Sequence, residues 1–538
     1  MSIGAETMPS HVTGTEPADA AAPKRRAKRG PLPQDILDPA PDWRELSLTE
    51  VDDARARILQ QPDERWSSDP SALLALAASY RYTLSPNPFT ALAYLDAADA
   101  LLDDDDPAEA FVLSRLLRAG NARSLGRLEA ALAGTGTAEE AARSARIALP
   151  VSIELQAAAI VESGICLTLL GRLDEARARL THGMRLETSR WHPAGHVEGL
   201  GCYALLEFLL GHPAAARAAV ARAGVHAGES VLAGHLSTAP YLVVAALIEL
   251  EAGRVEKAES IVDAVWDAAN GSEYEPLGHF VRASALASRA RWHDALDALQ
   301  DMQLGLRAWE NPGLLRSLHD ALRASVLITQ GEGGPARQLI TRLHEDEHHA
   351  LCPQRLLARL EIAAGDFTAA LEAIEPCIAL GDDHAPLTHV YVDVLWAAAH
   401  DGLGDVHAAA TAFDRALDAA ARNDSRRPFA SVPPERLRRL LAEARKRDLP
   451  EHSARLVEQL SLEVPAEQSG AEFVSPLSAR ERIVLNHIIA GHSARQISAQ
   501  LRVSPNTIKT QVRSVYRKLG ASNRHEAIER ARSFGLTG

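Results

Sequence analysis

Near the C-terminus, Lys509, Thr510 and Arg513 combine side chains that can read a DNA base edge with a spacing that lets them act together. Residues four apart on a helix share one face, so Lys509 and Arg513 would project side by side. Lys and Arg donate to guanine O6 and N7 in the major groove, and a Thr methyl meets that of thymine. Asn506 and Arg517 fall on the same polar side. Ser504 and Thr507 stand at the start of this helix, where free N–H groups and the positive dipole end attract phosphate. Arg495, shortly before, completes the candidate DNA-binding set.

Two further patterns bear on catalysis, and neither supplies it. His344-Glu345-Asp346-Glu347-His348 has the form H-E-x-x-H, in which two His one helical turn apart hold zinc and Glu activates water. The chain has 21 His, so such a match arises readily by chance. Its flanks are acidic, Pro353 follows soon after, and no third ligand stands at metalloprotease spacing. The expectation is a polar corner between helices. The chain contains no Gly-Lys dipeptide, which excludes a G-x-x-x-x-G-K-[ST] phosphate loop. No enzyme activity, cofactor or metal site is therefore expected.

The elements that position the first set can be read locally. Ser478-Ala479-Arg480-Glu481 has the form of a capping box, opening a helix with Ile483, Val484, His487 and Ile488 on one face and a stop at Gly491. Ser493 caps a short second helix with Ile497 and Leu501 inside. Ser504 caps a third, with Pro505 at its first position, where a missing N–H costs nothing. Ile508, Val512, Val515 and Leu519 recur at steps of four, three and four, so they form one buried stripe and leave the polar face free. A fourth helix runs from about 523 to 533 with Ala527, Ile528 and Ala531 inward. A short helix, a tight turn and a longer polar-faced helix make a helix-turn-helix.

At these residues the chain resembles the LuxR-type helix-turn-helix family over about 60 residues, including Leu477, Ser478, Glu481, Gly491, Ser493, Ile497, Val503, Ser504, Thr507, Ile508, Lys509, Lys518, Leu519, Gly520 and Arg524. The resemblance implies that Lys509, Thr510 and Arg513 read bases. Gln511 departs from the family, many members having His there, so no contact is carried onto it.

The body that precedes this segment reads as helical hairpins. A turn residue followed five positions later by Ala appears as Gly126/Ala131, Gly171/Ala176, Gly211/Ala216, Gly253/Ala258, Gly365/Ala370 and Gly404/Ala409, with weaker copies at Pro86/Ala91, Ala290/Ala295 and Gly331/Ala336. A spacing near 40 residues is two helices and two turns. The small Ala lets the helices of a hairpin approach closely. Each hairpin leaves an apolar face that the next one covers, which builds a solenoid with a concave binding surface. The stretch resembles tetratricopeptide-like repeats, in the divergent form found in large activators similar to the maltose regulator, without their nucleotide-binding module.

Composition agrees with this reading. Aromatics are only 4% and hydrophobic residues 46%, so the core is built from Ala, Leu, Val and Ile, which favours an all-helical protein. Cys166, Cys202, Cys352 and Cys377 form no C-x-x-C pair, and a reducing compartment fits. The first 30 residues lack the apolar stretch of a secretory leader, and the most apolar run, 241–250, is half of what a membrane span needs. A cytoplasmic protein with no membrane partner is expected.

Charge is segregated. Residues 476–538 carry 11 Lys/Arg against 3 Glu, whereas 31–475 carry 41 basic against 65 acidic residues in a chain of net charge −14. The fold class is all-α, a tetratricopeptide-like helical-hairpin solenoid followed by a four-helix LuxR-type helix-turn-helix domain. The expected organisation is a disordered basic tail at 1–40, helical repeats at 41–460, a linker at 461–475 and a DNA-binding domain at 476–538. The basic run 24–29 reads as part of a solvated tail, with an auxiliary DNA arm as the alternative. The function expected is a DNA-binding transcriptional regulator, a homodimer on double-stranded DNA, whose repeats bind an unknown small molecule or protein. The alternative is a repeat-based interaction scaffold whose basic end holds DNA non-specifically. The opposite charges allow the repeats to compete with DNA for the face of Lys509, Arg513 and Arg517; otherwise the linker only tethers, and dimerisation supplies control.

Overall fold

The computed structural model describes residues 48–103, 106–144, 146–186, 193–230, 232–343, 351–464, 479–501, 503–519, 521 and 523–533. The basic run 24–29, the H-E-x-x-H match and most of the expected linker lie outside these residues. Every regular element among the described residues is a helix.

All nine anchors fall at the turn joining the two helices of a hairpin, from Pro70–Arg81 with Pro88–Asp99 to Pro386–Leu403 with Val406–Asn423. The mechanism is local. At Gly171 (φ 83°) the chain turns left-handed, the Gly171 N–H bonds the Thr168 carbonyl, and the Arg172 N–H reaches back to Leu167 O at 3.0 Å. This double bond satisfies carbonyls that the helix end would otherwise orphan. The following helix starts at Leu173 and carries Asp174 and Glu175 in its first turn, where the dipole favours acids. The Ala five residues after each turn residue is buried in every copy, from Ala91 to Ala409.

Two turns differ in an instructive way. Ala290 holds the left-handed conformation (φ 58°) that glycine takes at its counterparts. Ala290→Gly should therefore stabilise the protein by about 1 kcal/mol. Gly211 needs both its φ of 82° and its missing side chain, because a Cβ would lie 2.8 Å from the backbone nitrogens of Pro386 and Leu387. Gly211→Ala should destabilise by about 2 kcal/mol or more. Urea titrations of the two variants should move the midpoint in opposite directions.

The Gly211 contact shows how tightly the solenoid coils. First helices of neighbouring hairpins pack on each other in a continuous inner layer. The layer then meets itself: Leu149–Leu170 touches Gly313–Thr329, Gly126 abuts Trp309, and Gly253 abuts Arg426. Leu149–Leu170 carries apolar residues around most of its circumference, interrupted by Glu154 and Glu162, because helices pack on several of its sides. Its stretch Val151–Leu170 is long and apolar enough to cross a membrane, and most of it is buried in the fold. This run exceeds the ten-residue stretch that the sequence reading took as the most apolar; it is a core helix of the solenoid.

The last solenoid helix is Glu451–Glu463, and four helices follow: Ala479–Ile489, Ala494–Leu501, Pro505–Lys518 and Arg524–Ser533. They enclose a core of their own, built on Val484, Leu485, Ile488, Ile497, Ile508, Val515 and Leu519.

Candidate nucleic-acid interface

The helix Pro505–Lys518 is fixed at both ends and along its back. Ser504 Oγ accepts from the Thr507 N–H at 3.1 Å, a side-chain N-cap. Ile508, Val515 and Leu519 are fully buried and Val512 packs beside them, as the step pattern requires. The helix before it opens on a reciprocal cap, with the Ser493 N–H donating to Gln496 Oε1 at 2.8 Å and Ser493 Oγ accepting from the Gln496 N–H. The backbone tightens between the two through Ser498 Oγ, which donates to Val503 O at 2.8 Å.

The first helix departs from expectation. Ile483 is 46% exposed, and Leu485 takes its place in the core. The buried face runs 481, 484, 485, 488, the ordinary i, i+3, i+4, i+7 pattern, with Glu481 at its edge. Ser478, the expected partner of Glu481 in a capping box, lies outside the described residues. Glu481 itself reaches the third helix, accepting from Ser514 Oγ at 2.6 Å and from Lys518 Nζ at 2.8 Å. One buried carboxylate thus clamps the helix that carries the candidate reading residues.

This clamp sorts the cations of the domain. Lys518 is held by Glu481, Arg524 by the Ile488 carbonyl, and Arg530 by Glu526 and the Leu519 carbonyl. Lys509, Arg513 and Arg495 are exposed and have no ion pair among the described residues. Asn506, Thr507 and Thr510 are exposed on the same helix, and the Thr510 hydroxyl donates to Asn506 O at 3.0 Å, which leaves its methyl outward. The Arg517 side chain lies outside the described residues. Burying Lys509 and Arg513 against phosphate and base acceptors would therefore break no ion pair among the described residues.

Three features of the solenoid escaped the sequence reading. The first is a fully buried guanidinium. Arg123 Nε lies 2.7 Å from Glu162, Nη2 2.9 Å from Glu198 and Nη1 2.8 Å from Glu273, with the Tyr274 hydroxyl also at 2.9 Å. Burial alone would lower its pKa; the three glutamates overcome this and hold it well above its ordinary value. Burial beside this cluster pushes the Cys202 thiol up to about 12, so it stays protonated and inert near neutral pH. The second is the trio Cys352, Cys377 and His384, whose ligand atoms lie within 4.8 Å of one another and are buried. The third is a cleft of about 500 Å³ among the inner helices of the later hairpins. The first and third join residues from helices far apart in sequence, and the trio joins one hairpin to the loop that follows it, with no motif spacing to mark any of them.

Comparison with known proteins centres on the C-terminal segment. Residues 475–531 match the family described as bacterial regulatory proteins, luxR family, and this segment is a LuxR-type helix-turn-helix domain. The chain is 48% identical over 64 residues to the probable transcriptional regulatory protein NarL of Mycobacterium tuberculosis, covering 12% of this chain and 30% of that protein. It is 47% identical over 60 residues to the HTH-type transcriptional regulator MalT of Serratia proteamaculans, covering 11% of this chain and 7% of that protein. The chain thus spans less than a third of the length of these relatives. Among solved structures, a Rap protein complexed with competence and sporulation factor aligns with 67% of this chain and 99% of its own, at 10% identity and a TM-score of 0.45.

Proposed function

We propose that this protein is a DNA-binding transcriptional regulator and not an enzyme. The observation that carries the reading is the set of exposed Lys509 and Arg513, without ion pairs among the described residues, with Thr510 on the outward face of a clamped helix. In this reading residues 476–538 form the DNA-binding domain, 41–460 the sensing repeats, 461–475 the linker and 1–40 a basic tail. Pro505–Lys518 enters the major groove, where Lys509, Thr510 and Arg513 face base edges. Ser504, Asn506, Thr507, Arg495 and Arg517 hold the phosphate backbone on either side. Two copies engage two half-sites. Recovery of genomic fragments on the immobilised full-length protein tests this: a few fragments should be strongly enriched, and uniform recovery would contradict it.

The solenoid supplies the regulated part. Its tight coil brings helices of distant hairpins into contact, so a ligand held between them changes how the turns pack. A bound effector then alters the DNA affinity of the full chain relative to the 461–538 fragment. Equal affinities of the two, with and without every compound that stabilises the repeats, would remove the sensing role.

A further inference from the structure

We propose that the cleft in the later hairpins is the effector site and that it takes a small amphipathic anion, a carboxylate or phosphate on an apolar body. The inference rests on the sensing role proposed for the repeats and gives it a ligand class. The cleft's volume of about 500 Å³ is in the range of small-molecule sites, about 300–1,000 Å³. Much of the lining is apolar, including Phe208, Leu250, Phe280 and Leu322. The charged lining is basic in balance: four arginines and two glutamates line the cleft, and no Lys or Asp does. This local excess of positive charge sits in an acidic body.

The arginines fall into two kinds. Arg426 is paired with Glu463 at 2.7 Å. Arg355, Arg359 and Arg427 have no carboxylate partner among the described residues. Arg355 stacks on the Tyr391 ring at 4.4 Å, and its Nε is buried with no hydrogen-bond partner. Arg359 donates only to the hydroxyls of Ser325 and Thr329, the latter at 2.7 Å. The remaining acid, Glu251, is already occupied: it accepts from Tyr391 at 3.0 Å and from Ser425 at 2.5 Å. Burial, with Arg355 and Arg427 nearby, lowers the Arg359 pKa to about 10, against the direction that a carboxylate partner would impose. Buried charges are ordinarily paired. Here three partly buried guanidiniums line one open volume with no carboxylate partner among the described residues, and each offers the planar fork that binds carboxylate or phosphate in two contacts.

The probe is 8-anilinonaphthalene-1-sulfonate, an anion on an apolar body whose fluorescence rises when it leaves water. The full-length protein should bind one equivalent, displaced by octanoate and not by octanol. Arg427→Gln should weaken binding about tenfold, the loss of one charge-assisted contact, and R359Q/R427Q should weaken it further. R427Q breaks no ion pair among the described residues, so its melting temperature should match the parent and keep the comparison interpretable. Displacement by octanol as effective as by octanoate would overturn the anionic assignment and leave a neutral-ligand site, with the sensing role intact. Equal binding by parent, R427Q and R359Q/R427Q would overturn the cleft as the site; the sensing role would then stand or fall on the fragment-against-full-length affinities alone.

Discussion

Lys509→Ala and Arg513→Ala should each cost on the order of 1–3 kcal/mol in affinity for a cognate duplex, and together should bring binding close to the non-specific level. Both side chains are exposed and without an ion pair among the described residues, so their loss should leave the melting temperature of the domain unchanged. Lys518→Ala provides the contrast. Lys518 is held at 2.8 Å by Glu481, and its removal leaves that buried carboxylate with one partner fewer. That variant should lower the stability of the domain first, and DNA affinity only through it. Fluorescence anisotropy with a labelled site, run beside thermal melts, separates the two outcomes. Should K509A and R513A bind like the parent while K518A alone fails, the reading face would lie elsewhere on the domain.

Arg123→Met should be among the most destabilising single substitutions in the solenoid, at about 3–5 kcal/mol, because it strands three carboxylates in a core they cannot leave. Glu162, Glu198 and Glu273 come from separate parts of the chain, and Tyr274 donates to Glu198 at 2.6 Å while Ser124 donates to Glu273 at 3.0 Å. Arg123→Lys should rescue little, since one ammonium cannot span the three directions that the guanidinium serves. Adding Glu162→Gln and Glu273→Gln to Arg123→Met should recover part of the loss by removing the stranded charge. Chemical denaturation of these variants gives the sizes, and a cost under about 1 kcal/mol for Arg123→Met would mean that water reaches the cluster.

The repeat architecture was legible because its signal is local. A left-handed turn residue and a small buried residue five positions on are set by the backbone of one hairpin; all nine anchors fall at hairpin turns, and every one but Pro86 is left-handed. The stripe of Ile508, Val515 and Leu519 was legible for the same reason. What failed depends on neighbours. Ile483 and Leu485 are equally apolar, and only the placement of Pro505–Lys518 decides which of them is covered. Val151–Leu170 is apolar apart from Glu154 and Glu162, and Glu162 lies in the core where Arg123, 39 residues away in sequence, meets it, a pairing that no local pattern reveals. The Arg355, Arg359 and Arg427 cluster is assembled by the coiling of the solenoid, which no single repeat encodes.

The central claim is that the C-terminal domain distinguishes one DNA sequence from another. The most direct measurement takes a site selected from random duplexes by the full-length protein and compares its affinity with that of scrambled duplex at a fixed salt concentration. The account predicts a preference of about a thousandfold or more, with both affinities falling as salt rises. A ratio near one, with the salt dependence intact, would contradict it and leave only a basic domain held to the phosphate backbone.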